Sequence, residues 1–278
     1  MTGTIVFAHA NGFPAGLYEP LFDVWRAAGW RVLAPAILGH DARYPVESGW
    51  RRLRDQLLDF VEARRAEGTL VEPVVLVGHS LGGMLSLLAV IKRPALAQAL
   101  VMLDSPVVDG WRAHSIRMVK KLRLINRVGP GRVSKARRRE WPSREAVHAH
   151  FAAKHVFARW DARMLAGYVA HGFEERDGKV VLAFEREVET RIYDTLPHHV
   201  GTQLRRHPPR VPVHFIAGTR SAEMRQAGAA ASRALAGPRF RWIEGTHLYP
   251  MERPEDTARL VLECLGCQPA SPPPAGPV

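Results

Sequence analysis

Short apolar runs alternate with segments of helical periodicity along the first hundred residues. Residues 4–8 (T-I-V-F-A), 30–34, 74–77 and 99–103 are aliphatic runs bounded by turn formers, which predicts buried strands. Between them, residues 18–28, 50–67 and 81–91 repeat apolar positions at helical spacing. In the second, Leu53, Leu57, Phe60 and Val61 share one face, and Pro94 stops the third. Towards the other end, residues 211–217 and 239–243 predict strands and 254–265 a helix. Strands alternating with helices of this length imply a parallel sheet covered on both faces.

The alternation breaks in the middle. Residues 107–206 have little strand pattern and much charged, helical sequence, with one possible hairpin at 175–184 around Asp177-Gly178. This block is expected to be a cap inserted between 1–106 and 207–266, which together form the core. The tail 267–278 is Pro-rich (Q-P-A-S-P-P-P-A-G-P-V from Gln268) and is expected to be disordered.

Composition changes this picture in one place. The net charge of +12 is concentrated: residues 112–144 hold twelve Lys or Arg against Glu140 alone. A solvated basic face is the ordinary reading. Docking onto nucleic acid, anionic lipid or an acidic partner, or steering of anionic substrates, are the sharper ones. Cys264 and Cys267 close the last helix, with no second pair to complete a zinc site, and read as two reduced thiols. The N-terminus has no basic n-region with an apolar run, and no stretch reaches the ~20 apolar residues of a membrane span. The expectation is a soluble, cytoplasmic chain, monomeric or homodimeric.

The candidate chemistry centres on V-V-L-V-G-H-S-L-G-G. Gly78, Ser80 and Gly82 form G-x-S-x-G between a strand and a helix. A serine there sits on a tight turn with its hydroxyl clear of the sheet, and glycines two residues either side allow the close approach that turn needs. His79 lies inside the motif; it points away from Ser80 as a structural residue or borders the substrate. Oxyanion donors are expected from the N–H of Leu81 and of Asn11, with Phe13 as the alternative, in the loop H-A-N-G-F-P-A-G, where His9 braces the loop. His247, in G-T-H-L-Y-P-M-E-R-P-E after the last strand, is the candidate base. The acid has two candidates: Asp104 at the end of V-M-L-D, and Glu223 two residues past Ser221. His148, His150 and His155 read as a solvated helical face, while His198 and His199 could border a cap–core cleft. On the cap side, Phe151, Phe157, Trp160, Leu165 and Tyr168 are either cap core or pocket wall; Phe13, Phe151, Trp160 and Leu248 are the candidate substrate contacts.

Three motifs, H-A-N-G-F-P, G-H-S-L-G-G and G-T-H-L-Y-P-M-E-R-P-E, make residues 1–106 and 207–266 resemble the α/β-hydrolase superfamily, in its capped esterase- or epoxide-hydrolase-like branch. The resemblance implies a mostly parallel sheet, a nucleophile, an oxyanion loop, a base and a helical cap. Two early strands of the family have no counterpart, which leaves about six strands or a start further upstream. The family's usual acid position, in G-x-x-D, holds Ser221 here. A serine at position 80, where epoxide hydrolases carry an aspartate, implies acyl-enzyme chemistry on a small-molecule ester, thioester or lactone, with no metal or organic cofactor. Perhydrolase, haloperoxidase or carbon–carbon bond hydrolase chemistry would use the same residues. A non-catalytic binding protein using the basic segment is the alternative from another class.

Overall fold

The computed structural model describes residues 2–108, 138–197 and 199–267. With elements numbered in chain order, β1 (Gly3–Ala8), β2 (Trp30–Leu33), β3 (Val74–His79), β4 (Ala99–Leu103), β8 (Val213–Gly218) and β9 (Phe240–Ile243) form one six-stranded sheet in the order β2-β1-β3-β4-β8-β9. Every neighbouring pair in it is parallel. All residues of β1 and β3 are buried, as expected of strands covered on both faces.

Alternation of side chains sends each strand's apolar residues into two layers. Phe7 and Val77 pack with Trp25 of α1 (Glu19–Ala27) and with Ala258 and Val261 of α11 (Pro254–Cys264). The indole of Trp25 also donates to the Ala258 carbonyl at 3.1 Å, joining the two helices. On the other face, Val6 and Leu76 pack with Leu53 and Leu57 of α2 (Arg51–Ala66) and with Leu85 of α3 (Leu81–Lys92). The predicted elements are all present, with ends displaced by one or two residues; β3 runs on to His79, which brings the strand to the threshold of Ser80.

The described part of the interrupting block combines helices with one small sheet. Beside α4 (Arg144–Ala152), α5 (Ala162–His171), α6 (Arg186–Asp194) and α7 (Val200–Arg206), it holds an antiparallel sheet of β5 (Glu140–Trp141), β7 (Lys179–Leu182) and β6 (Phe173–Arg176), in that order. Asp177 and Gly178 both take positive φ (52° and 72°), the conformation a two-residue hairpin turn requires, and Asp-Gly supplies it at low steric cost. The two-residue β5 is too short to show in a sequence pattern.

Several contacts seat the block on the core. Helix α5 packs on the short 3-10 helix Ala15–Tyr18, so closely that a Cβ on Gly16 would lie 2.5 Å from the His171 ring. The Asp161 N–H donates to the Met251 carbonyl at 2.9 Å, and the Asn11 amide donates to the Glu189 carbonyl of α6 at 3.1 Å. The basic segment up to residue 137, His198 and the tail from 268 lie outside the described residues. Of that segment's basic residues, Arg139 pairs with Glu187, and Arg144 donates to the Val169 carbonyl at 2.8 Å. Cys264 and Cys267 are free; burial pushes the Cys264 thiol up to about 11. Among the described residues no helix is long and apolar enough to cross a membrane.

Candidate active site

Strand β3 ends at His79 and helix α3 begins at Leu81, so Ser80 alone makes the turn. It does so with φ 52° and ψ −113°, a strained conformation for a residue with a Cβ. Two bonds hold it there: the Ser80 N–H donates to the Leu103 carbonyl at 2.9 Å, and the Ser80 carbonyl accepts from the Ser105 hydroxyl at 2.7 Å. The glycines are required by space. A Cβ on Gly82 would lie 1.9 Å from the Ala8 carbonyl oxygen, and one on Gly78 would lie 2.4 Å from the Gly82 backbone.

The His247 ring lies between Ser80 and Asp104. Its Nε2 is 3.0 Å from Ser80 Oγ and its Nδ1 is 2.7 Å from Asp104 Oδ2. Because Nδ1 faces a carboxylate, it carries the proton, and Nε2 is left to accept from the serine hydroxyl. Burial would lower the His247 pKa; the hydrogen bond to Asp104 and the charges of Glu223 and Asp104 overcome this and hold it above the ordinary 6.5.

Asp104 sits at the end of β4 with φ 43° and no solvent exposure. Its Oδ1 accepts from the Gly218 N–H at 2.7 Å, and its Oδ2 accepts from the Ser221 hydroxyl at 2.5 Å as well as from His247. Three donors thereby reach the buried carboxylate, which is how a buried charge survives without water. Ser221 is therefore more than a vacancy in G-x-x-D. Its hydroxyl accepts from the Met224 N–H at 3.1 Å, capping the short helix Ala222–Ala227, and gives its own proton to Asp104. Glu223, 46% exposed, has its Oε2 3.8 Å from His247 Nδ1, beyond hydrogen-bonding range. Asp104, Glu223 and His247 also bring metal-ligand atoms within 4.8 Å of one another, but the first and last are already joined through the Nδ1 proton.

The loop after β1 is braced as expected. His9 is fully buried; its Nδ1–H donates to the Ala10 carbonyl at 2.8 Å and its Nε2 accepts the Leu38 N–H at 2.8 Å, while burial lowers its pKa to about 4. Leu81 opens α3, so its N–H has no intrahelical acceptor. Asn11 is buried next to the loop glycine, its side chain turned to the cap. Phe13 does not fit the donor role: its N–H is engaged with the Ala10 carbonyl at 3.1 Å in a tight turn.

Several expected substrate contacts are structural instead. His79 has no exposure and is hydrogen-bonded on both ring nitrogens, to Tyr18 and to the His247 carbonyl, so it borders no substrate. Phe151 is 1% exposed and lies in an aromatic cluster with Trp141, Phe157, Tyr168 and Phe173; Leu165 and Tyr168 are buried with it. These residues are packed interior, in the same cluster as Phe7 and Trp25. Trp160 is 8% exposed and touches both sides, with its ring 5.6 Å from that of Phe13 and 4.5 Å from that of Phe157. Phe13 and Leu248 are partly buried, beside Ala10–Gly12 and His247 in the chain. His148 and His155 are exposed, but His150 stacks edge-on against Trp141 rather than facing water. The His199 ring lies against Gly49 of the core. Sequence reasoning did not find the Gly218 N–H and Ser221 hydroxyl on Asp104, or the Ser105 hydroxyl on Ser80. The serine in G-x-x-S was the available signal.

Residues 5–260 match the family described as the alpha/beta hydrolase family. The chain belongs to that family. It is a hydrolase of the alpha/beta hydrolase fold. A monoglyceride lipase of Rattus norvegicus is 27% identical over 129 residues, a stretch covering 45% of this chain and 42% of the lipase, so the chain matches less than half of that relative's length. Among solved structures, E-2-(acetamidomethylene)succinate hydrolase superposes with a TM-score of 0.73 at 18% identity, covering 96% of this chain and 92% of that one. The thioesterase domain from the curacin biosynthetic pathway gives 0.68 at 16% identity, covering 94% and 91%. An esterase of M. tuberculosis gives 0.63 at 19%, covering 95% and 86%. At these identities the structures support the fold alone.

Proposed function

We propose that this alpha/beta hydrolase cleaves a small-molecule carboxylic ester, thioester or lactone through an acyl-enzyme on Ser80. The observation that carries the reading is the unbroken line from Ser80 Oγ to His247 Nε2 (3.0 Å) and from His247 Nδ1 to Asp104 Oδ2 (2.7 Å). Ser80 attacks the carbonyl carbon while His247 takes the hydroxyl proton. The developing oxyanion is met by the N–H groups of Leu81 and Asn11. Collapse of the tetrahedral intermediate expels the alcohol or thiol, which receives the proton from His247. Water then repeats the sequence on the acyl-enzyme and releases the acid. Asp104 holds the Nδ1–H tautomer and stabilises the imidazolium; Glu223, 3.8 Å away, adds its charge without a bond. The monoglyceride lipase that the chain resembles over part of its length is named for this class of chemistry.

Turnover of p-nitrophenyl acetate and butyrate by the wild-type chain, beside Ser80→Ala, tests the reading. The variant is expected to lose about 10⁵–10⁶ of kcat. Equal slow turnover by both proteins would refute the nucleophile.

A further inference from the structure

The reading above uses His247 and leaves a second histidine beside it, His79, unused. His79 is the residue before Ser80, and its ring centre is 5.1 Å from that of His247. Its Nε2 lies 2.9 Å from the His247 carbonyl oxygen. A carbonyl only accepts, so Nε2 carries the proton and Nδ1 is the acceptor. The hydroxyl of Tyr18 lies 2.8 Å from that Nδ1 and therefore donates to it. A lone pair on the same hydroxyl is left to face the Ala10 N–H at 3.4 Å. Tyr18 and His79 are both fully buried.

The result is one directed line, Ala10 N–H to Tyr18 O–H to His79 to the His247 carbonyl. It joins three segments that contribute to the reaction but are distant in sequence: the loop before Asn11, the strand before Ser80 and the loop that carries the base. The base loop has need of such a tie. Residues 244–248 are irregular, and Gly245 has φ 143°. Glu252 holds that loop from one side, accepting from the Thr246 N–H at 3.0 Å and its hydroxyl at 2.6 Å. His79 holds it from the other. A neutral ring is also the one compatible with an imidazolium forming beside it, and burial together with the neighbouring His247 keeps His79 from protonating.

We propose that Tyr18 and His79 are positioning residues that fix the backbone of His247, and with it the ring, between Ser80 and Asp104. Neither touches the reacting atoms. Tyr18 closes the 3-10 helix on which cap helix α5 sits, so the same line ties the seating of the cap to the base. The proposal rests on the Ser80 reading.

The test compares wild type, Tyr18→Phe, His79→Leu and His79→Gln in the full chain, with active sites counted by fluorophosphonate labelling. Per labelled site, His79→Leu is expected to lose on the order of tenfold to a hundredfold in kcat, because displacement of a catalytic group by a fraction of an ångström is felt at this scale. KM should move little. Tyr18→Phe, which removes only the hydroxyl, should lose a smaller factor in the same sense. His79→Gln, whose amide can donate to the His247 carbonyl, should recover most of the loss. The acid-limb midpoint of kcat/KM should fall in His79→Leu as the His247–Asp104 contact loosens. Wild-type kcat and an unmoved midpoint in both Tyr18→Phe and His79→Leu, with only a lowered Tm, would overturn the positioning role while leaving the Ser80 reading intact. If His79→Leu fails to fold, Tyr18→Phe and His79→Gln decide it alone: an unchanged kcat and midpoint in Tyr18→Phe overturn it. A wild-type chain that takes no label overturns both.

Discussion

At the C-terminal end of the sheet, the buried polar atoms of Asp104, Ser221, His79 and His9 each meet a partner at 2.5–2.9 Å. In the block between β4 and β8, the indole N–H groups of Trp141 and Trp160 are buried with no acceptor among the described residues, and the rings pack on aromatic neighbours instead, Trp141 5.8 Å from Phe151 and Trp160 4.5 Å from Phe157. The first region is specified by hydrogen bonds and by three strained or crowded backbone positions, Ser80, Asp104 and Gly82. The second is specified by volume. Hydrogen-bonded geometry is directional and tolerates little displacement, whereas aromatic packing tolerates rearrangement at a cost in stability. Substitutions in the two regions should therefore separate, the first lowering rate and the second lowering stability.

The largest separation is expected at the acid. Asp104→Asn should lower kcat by about 10⁴ while the chain still folds, because an amide favours the wrong His247 tautomer; steady-state kinetics beside a thermal melt measure both. A loss under tenfold would shift the acid role to Glu223. The opposite pattern is expected in the cap. Phe151→Ala should destabilise the chain by about 3–5 kcal/mol, read by urea unfolding, and leave kcat of the folded fraction within a few-fold. A large loss of kcat at unchanged stability would return Phe151 to the pocket wall.

The smallest effect sharpens the account of the base. In the proposed mechanism His247 works as the neutral ring, and its pKa is held above 6.5, so kcat/KM should rise with pH through a midpoint above that value. Glu223→Gln removes one of the influences that raise it. The midpoint should then move down, with kcat on the plateau changed less than tenfold, as a pH–rate profile at low ionic strength would show. An upward movement would contradict the sign of the Glu223 contribution.

The core was legible because its strands are continuous apolar runs and its helices are amphipathic or small-residue patterns; neither depends on distant partners. Gly78, Ser80, Gly82 and His247 were legible because each stands at a fixed offset from a strand end. Between Asp104 and Glu223 the sequence left the acid open; in the structure three donors hold the Asp104 carboxylate, while Glu223 lies half-exposed 3.8 Å from His247. What sequence could not give was pairing between distant segments. The role of Ser221 depends on β4 lying beside β8, and the dual bonding of His79 depends on Tyr18 and residue 247 meeting at its two nitrogens. The cap aromatics were ambiguous for the same reason: helical spacing predicts a shared face, not whether that face meets its own domain or a substrate. The short β5 pairs with β7 across some forty residues and leaves no local trace.

The central claim is that Ser80 is an activated nucleophile. Intact-mass measurement after incubation with a fluorophosphonate tests it most directly, on wild type and on Ser80→Ala. The account predicts one phosphonyl adduct per wild-type chain and none on the variant. An unlabelled wild-type chain, or a variant labelled as fully as wild type, would contradict it.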